Sequence, residues 1–121
     1  MTIKDIIADV DNIKENEYND EAKRKWLSDL DERIYNDLVI TRSDFDAETE
    51  TRTFPYEDTD QELILGSRDM YVAYVMAQID FYNAEYTRYN NEMAAFNAAY
   101  IDAAYRYNRQ RVGKAMRWKN F

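Results

Sequence analysis

Cysteine and histidine are both absent from this 121-residue chain, which also has only two glycines and one proline. Without cysteine there is no disulfide, thiolate metal site or thiol nucleophile, and without histidine there is no Ser-His-Asp triad or imidazole base. Tight turns draw heavily on glycine and proline, so their scarcity favours long helices over a sheet-rich domain. The composition predicts a mostly α-helical protein with no catalytic, cofactor-binding or metal-binding residues. An enzyme that uses carboxylates alone has no supporting motif.

Long apolar runs are also absent, and the mean hydropathy is -0.80, so we expect no membrane-spanning helix. The first residues do not lead from a basic segment into an apolar one, which predicts no secretory signal and a location in the cytoplasm or in a particle assembled there. The length corresponds to about one domain. The net charge is -8, and residues 1–62 carry nineteen acids and eight bases, whereas Asp102 is the last acid of the chain. We therefore expect an acidic body and a basic tail.

Two short amphipathic helices are predicted at the start of the chain, over residues 2–14 and 19–39. Thr2 is a plausible N-cap for the first helix, and Asn19 or Asp20 for the second. Each helix has one apolar face at helical spacing. These faces comprise Ile3, Ile6, Ile7, Val10 and Ile13 in the first helix, and Trp26, Leu27, Leu30, Ile34 and Leu38 in the second.

Residues 42–65 form a different kind of segment, which is acidic and contains the only proline. The alternating, threonine-rich stretch 48–54 fits a small β-hairpin and fits a mobile acidic loop equally well. The apolar run 63–65 fits a strand or an extended segment that plugs the core. The acids lack the spacing and central glycine of a calcium loop. The candidate acidic surface comprises Asp44, Asp46, Glu48, Glu50, Glu57, Asp58 and Asp60.

One very long helix is predicted over residues 67–111, with Ser67 as its N-cap and no break at Asn90–Asn91. A heptad pattern supports it, with apolar residues at positions 72, 79, 86, 93, 100 and 107 and at positions 75, 82, 89, 96 and 103. Such a helix would be about 65 Å long, whereas a compact domain of this size has a radius of gyration of about 14 Å. We therefore expect the seam to contact another copy of the chain. The candidate interface residues are Tyr82, Tyr86, Tyr89, Met93, Phe96, Tyr100 and Tyr107.

A second apolar stripe, from Met70 to Ala84, places apolar residues on another face of the first half of this helix. That half should therefore lie between the chain's own helices and a neighbour. The alternative, in which both stripes belong to an intramolecular core, stays open for the first half.

Residues 112–121 are predicted to be an extended basic tail, because Gly113 is a natural helix stop. Basic and aromatic side chains together suit docking on an acidic protein surface. They also suit nucleic acid, although the net charge of the chain favours a protein partner. The candidate docking residues are Arg106, Arg109, Arg111, Lys114, Arg117, Trp118, Lys119 and Phe121.

Several short stretches of the long helix resemble small neck proteins of tailed phages. These are Ala77–Asp80, Asn83, Glu85–Tyr86, Arg88–Asn91, Phe96–Asn97, Ala99–Tyr100 and Tyr107–Arg109, together with Trp26–Leu27 and Leu30–Ile34 near the start. The resemblance covers most of the chain. The segment Leu65–Asp69 departs from the proline-containing version expected in such proteins.

This resemblance implies a head–tail connector, also called a head completion or adaptor protein, in the virion neck after assembly in the host cytoplasm. Such proteins form a ring, usually dodecameric, that binds the portal, extends the DNA channel and receives the stopper or tail. The resemblance implies that the basic tail docks on the portal. We expect the acidic loop to face the lumen or the next ring, where like charges let DNA pass without specific binding. The alternative is an acidic DNA mimic that inhibits a host nucleic-acid-binding enzyme.

Overall fold

The computed structural model describes the backbone of residues 1–119 and the side chains of residues 1–111. This part of the chain contains four α-helices and no strands: α1 (Ile3–Ile13), α2 (Asp20–Ile34), α3 (Arg68–Tyr82) and α4 (Tyr86–Lys119). The predicted mostly helical class is confirmed. Within the same residues, no helix is both long and apolar enough to cross a membrane.

The first two helices begin at the predicted caps. The Thr2 hydroxyl accepts the amide of Asp5 at 3.2 Å, and the Asp5 carboxylate accepts the amide of Thr2 at 2.9 Å, which forms a capping box. The Asn19 side chain accepts the amide of Ala22 at 2.8 Å and starts α2. A π-helical turn, Tyr35–Val39, continues α2 to the predicted end. The predicted helices 2–14 and 19–39 are therefore confirmed to within a residue at each end.

The prediction of one continuous helix over residues 67–111 is wrong. Ser67 does cap α3, but the helix ends at Tyr82, the chain turns at residues 83–85, and α4 packs back along α3. The helix is continuous at Asn90–Asn91, as predicted. Because the long segment is a hairpin rather than a rod, its length no longer requires a second copy to cover it.

The core is centred on α3, which contacts α1, α2 and α4. This position explains why α3 is apolar on two faces: the neighbour expected on the second face is the chain's own α4. The fully or nearly buried core residues of α3 are Met70, Tyr71, Tyr74, Val75, Ala77 and Ile79. From α4, Phe96 and Ala103 complete the core. The alternative of an intramolecular core is therefore correct for the first half.

Residues 40–67 form a long irregular connection, and of the two alternatives for the stretch 48–54 the β-hairpin is not formed. The one bridge in the described chain joins Thr2 to Glu62. The run Leu63–Leu65 is not a strand but bends at residues 64–66, and Leu63 and Leu65 are buried in the core. The plug interpretation of this run is confirmed.

The expected extended tail is also not observed in the backbone. Helix α4 runs through Gly113 and ends at Lys119. Within a helix a glycine costs about 1 kcal/mol relative to alanine, which is too little to end a helix by itself. Phe121 lies outside the described residues.

Candidate interaction surface

The turn between α3 and α4 depends on a residue in a left-handed conformation. Ala84 has a φ of 59°, a region that favours glycine. Its amide donates to the Phe81 carbonyl at 3.1 Å, and the Glu85 amide donates to the Asp80 carbonyl at 2.8 Å. These bonds close the end of α3, and the chain reverses direction without a glycine or proline.

Six aromatic side chains form a continuous cluster at this turn, which we call the turn surface: Tyr18, Trp26, Phe81, Tyr82, Tyr86 and Tyr89. The rings of Trp26 and Tyr82 are stacked, with centroids 5.7 Å apart, and Tyr18 meets Trp26 edge-on at 5.4 Å. Phe81 contacts the rings of Tyr82 and Tyr89, each at 5.3 Å. The Tyr18 hydroxyl donates to Asn83 at 2.9 Å and ties the α1–α2 connection to the turn.

Three of these rings are exposed to an unusual degree for large aromatic side chains. The exposed fraction is 44% for Phe81, 59% for Tyr82 and 57% for Tyr86. Aromatic residues are enriched at protein interfaces, and contiguous apolar patches mark interaction sites. The exposed acids Glu15, Glu17 and Glu85 lie around this end of the molecule, two of them in a depression shared with Tyr18 and Asn83. The turn surface is thus an aromatic patch with an acidic border.

The predicted seam is divided between the core and the turn surface. Phe96 is buried against Tyr74, with ring centroids 5.3 Å apart, and Met93, Tyr100 and Tyr107 pack against the core. Their contacts are thus largely made within the chain. Tyr82 and Tyr86 remain exposed, and Tyr89 is half-buried beside Phe81. Of the seven seam residues, these three are placed where a second molecule can reach them.

Among the predicted docking residues, Arg111 is engaged by the chain's own loop. Its guanidinium donates two hydrogen bonds to Glu50, at 2.6 and 3.0 Å, and a weaker one to Asp44 at 3.3 Å. Arg106 and Arg109 are exposed: Arg106 pairs with Asp102 at 2.7 Å, and Arg109 lies over the ring of Tyr105. The side chains of Lys114, Arg117, Trp118 and Lys119 and the whole of Phe121 lie outside the described residues.

The acidic loop is less free than its composition indicates. Two of its seven acids, Asp44 and Glu50, are held by Arg111. Asp46 accepts the amide of Glu48 at 3.0 Å and stabilises a local turn. The other five acids, Asp46, Glu48, Glu57, Asp58 and Asp60, have exposed side chains, and Asp44 is itself 39% exposed. The sequence identified all seven acids, but it contained no signal that two of them pair with a residue more than sixty positions away.

A buried polar cluster that the sequence did not indicate anchors the loop to the helices. Asp31 is fully buried on α2, and its carboxylate accepts hydrogen bonds from the hydroxyls of Tyr71 at 2.6 Å and Tyr56 at 2.7 Å. It also accepts the amide of Ile64 at 3.1 Å. Burial raises the pKa of Asp31, although these hydrogen bonds oppose the shift. The Tyr71 hydroxyl in turn accepts the amide of Leu65 at 3.0 Å.

The described residues contain no group of three or more carboxylates placed to hold a metal ion. Comparison of the chain with protein-family models, with curated proteins and with solved structures finds no match. The candidate functional features are the turn surface and the basic end of α4 with Arg106 and Arg109, and both suit protein contacts.

Proposed function

We propose that this chain is a structural adaptor of a tailed-phage neck, which forms a ring between the portal and the stopper or tail and has no enzymatic step. The observation that carries this proposal is the separation of two different surfaces on one helical hairpin. The aromatic turn surface lies at the start of α4, and the exposed Arg106 and Arg109 lie on the same helix. From Tyr86 to Arg109 the helix rises about 35 Å. A protein that joins two components needs two such surfaces at a fixed separation.

The turn surface is assigned to self-association in this proposal. Tyrosine supplies a large contact area and keeps a hydroxyl for polar partners, which suits contacts between subunits of a ring. Tyr82 and Tyr86 belong to the heptad seam and have little cover within the chain. The proposal of self-association therefore depends on the exposed aromatic area of these residues, because the hairpin removes the argument from helix length.

The basic end of α4 is assigned to the portal, as in the neck proteins that the sequence resembles. Arg106 and Arg109 lead into residues 112–121. This segment holds the other basic and aromatic residues of the docking set: Lys114, Arg117, Trp118, Lys119 and Phe121. Arg111 is removed from this set because it holds the loop. The lumen or the next ring is assigned to the five exposed loop acids that Arg111 does not hold, with DNA passing by without specific binding.

The first experiment is a pull-down of the tagged chain from phage-infected cells, with the bound proteins identified by mass spectrometry. Portal and tail-completion proteins are the expected partners. A host nuclease or polymerase without virion proteins would overturn the adaptor proposal and favour DNA mimicry. The structure offers a reason to expect the first result, because several acids of residues 1–62 are paired within the chain: Asp9 with Arg68, Asp11 with Lys23, and Asp44 and Glu50 with Arg111.

Two sets of variants separate the two surfaces. The double variant Tyr82→Ser/Tyr86→Ser should lose self-association in sedimentation velocity, whereas Tyr105→Ser, which changes an equally exposed tyrosine elsewhere on α4, should keep it. Removal of residues 113–121 should abolish portal binding and leave self-association intact. Self-association unchanged in the double variant, or portal binding unchanged in the truncated chain, would refute the corresponding assignment.

A further inference from the structure

Three charged side chains from three helices meet beneath the turn surface. Lys14 follows α1, Asp80 lies in the last turn of α3, and Glu92 lies in the second turn of α4. The Lys14 ammonium is 2.8 Å from Asp80 Oδ1 and 3.9 Å from Glu92 Oε1. The exposed fraction is 1% for Asp80, 16% for Glu92 and 17% for Lys14. The site therefore holds two carboxyl groups and one ammonium group, largely shielded from water.

The hydrogen bonding of this cluster is incomplete when both carboxyl groups are ionised. Asp80 Oδ2 and Glu92 Oε2 are buried, and neither finds a hydrogen-bond donor among the described residues. The two carboxyl groups flank the same Lys14 ammonium, and a hydrogen bond between them is one cause of the opposite shifts of their pKa values. A proton on Glu92 would turn this repulsive contact into a hydrogen bond that Glu92 donates to Asp80. We propose that Lys14, Asp80 and Glu92 form a proton-dependent latch that holds the start of α4 against α3 and α1.

The charges around the cluster favour placing this proton on Glu92. Lys14 from α1 lies closer to Asp80, and Arg88 on α4 is an exposed cation that acts on both carboxyl groups. Burial and the neighbouring Asp80 raise the pKa of Glu92 to about 7. Burial opposes ionisation of Asp80 as well, but hydrogen bonds with Glu92 and Lys14 hold its pKa below the ordinary value. One proton is therefore shared in the neutral range, and Glu92 carries it.

The sign of the pH effect follows from the direction of these shifts. The pKa of Glu92 is higher in the folded protein than its ordinary value of 4.5, so the folded protein binds more protons between these pH values. The contribution of Glu92 to the free energy of unfolding is then greatest below about pH 4.5 and is lost as the pH rises through about 7. The opposite shift of Asp80 matters only below its ordinary pKa of 3.8. Between pH 5 and 9, the titration of Glu92 therefore determines how this cluster changes the stability of the folded protein.

The latch lies next to the residues that form the turn surface. Phe81 and Tyr82 directly follow Asp80, and Tyr89 lies one helical turn before Glu92. Loss of the shared proton should loosen the start of α4 and the rings that it carries. This inference concerns the hairpin of a single chain and does not depend on the proposed function.

Nuclear magnetic resonance of the full-length chain tests the latch directly. The carboxyl carbon of Glu92 should titrate near pH 7. Hydrogen exchange should show protection of the amides of residues 89–93 falling by up to about tenfold between pH 6 and 8.5, after correction for the intrinsic rates. Titration of Glu92 near 4.5, or protection that does not change with pH, would overturn the proposal.

Substitutions test whether the proton on Glu92 causes the pH-dependent loss of amide protection. Glu92→Gln keeps a side-chain donor toward Asp80, so its protection should stay constant with pH, whereas the control Glu85→Gln should lose protection as the parent does. A pH-dependent loss that persists in Glu92→Gln would refute the latch. Should that variant fail to fold, Asp80→Asn provides the second test, because it removes the like charge and should return the titration of Glu92 toward its ordinary range. A titration that stays near 7 in Asp80→Asn would also refute it.

Discussion

Replacement of Ala84 by glycine should stabilise the protein, although the same change inside a helix destabilises one. Ala84 has a φ of 59° at the α3–α4 turn, where an L residue strains against its own backbone. Relief of this strain is worth about 1–2 kcal/mol, and the greater flexibility of glycine in the unfolded chain costs about 0.5–1 kcal/mol. The net gain is about 0.5–1 kcal/mol, which corresponds to a rise in Tm of about 2–4 °C.

Whether Ala84→Gly raises or lowers the free energy of unfolding distinguishes the hairpin from the continuous helix that the heptad pattern predicts. Ala98→Gly is the matched control, because Ala98 is an exposed residue inside α4 and its replacement should cost about 1 kcal/mol. Both free energies of unfolding are measured by urea denaturation, followed by far-ultraviolet circular dichroism. A loss of about 1 kcal/mol in Ala84→Gly, equal to that in Ala98→Gly, would show a helix through residue 84 and refute the turn.

Two further predictions concern the contacts that anchor the long loop, and urea denaturation measures both. Tyr71→Phe removes a donor from the buried Asp31 carboxylate and should cost about 1.5–3 kcal/mol; Tyr74→Phe, which loses a partly buried hydrogen bond, should cost less, and equal losses would contradict the reasoning. Arg111→Met breaks the paired contacts with the loop acids and should cost about 1 kcal/mol. Arg106→Met removes only an exposed pair on α4 and should stay within about 0.5 kcal/mol, so equal effects of these two changes would show that Arg111 does not hold the loop.

Local signals in the sequence located three of the four helix starts. Thr2, Asn19 and Ser67 each have a side-chain oxygen that accepts an amide three residues later. Such caps depend on neighbouring residues alone, so a single sequence contains all the information needed. The burial of Leu63 and Leu65 was likewise predictable, because an apolar run in an acidic segment has few other places to go.

The turn at residues 83–85 could not be predicted in the same way. Heptad spacing continues through Tyr82, Tyr86 and Tyr89 as if the helix were unbroken, and no glycine or proline marks a stop. The turn is favoured by a long-range effect, since reversal of the chain buries the second apolar face of α3 against Phe96 and Ala103 of α4. That gain depends on the packing of two segments, and periodicity within one segment does not report it.

The Asp31 cluster could not be predicted from the sequence for a related reason. Asp31 lies on an otherwise ordinary helix, and its partners Tyr56 and Tyr71 are 25 and 40 positions away. No local pattern marks such a carboxylate as buried, because aspartate is usually exposed. The sequence assigned no role to Tyr56 or Tyr71, whose hydroxyls serve the core. They compensate part of the cost of burying the Asp31 carboxyl group.

These internal contacts change what the charge pattern implies about function. A chain of net charge -8 suggests a continuous acidic surface, but several of its acids act as caps, ion-pair partners or core acceptors. Asp5 caps α1, Asp31 lies in the core, and Asp44 and Glu50 bind Arg111. A DNA mimic needs its acids free along one face, and each internal contact removes one from that role. Phe81, Tyr82 and Tyr86 contact neighbouring rings and yet remain 44–59% exposed, which supports the proposed protein contact at this surface more than DNA mimicry.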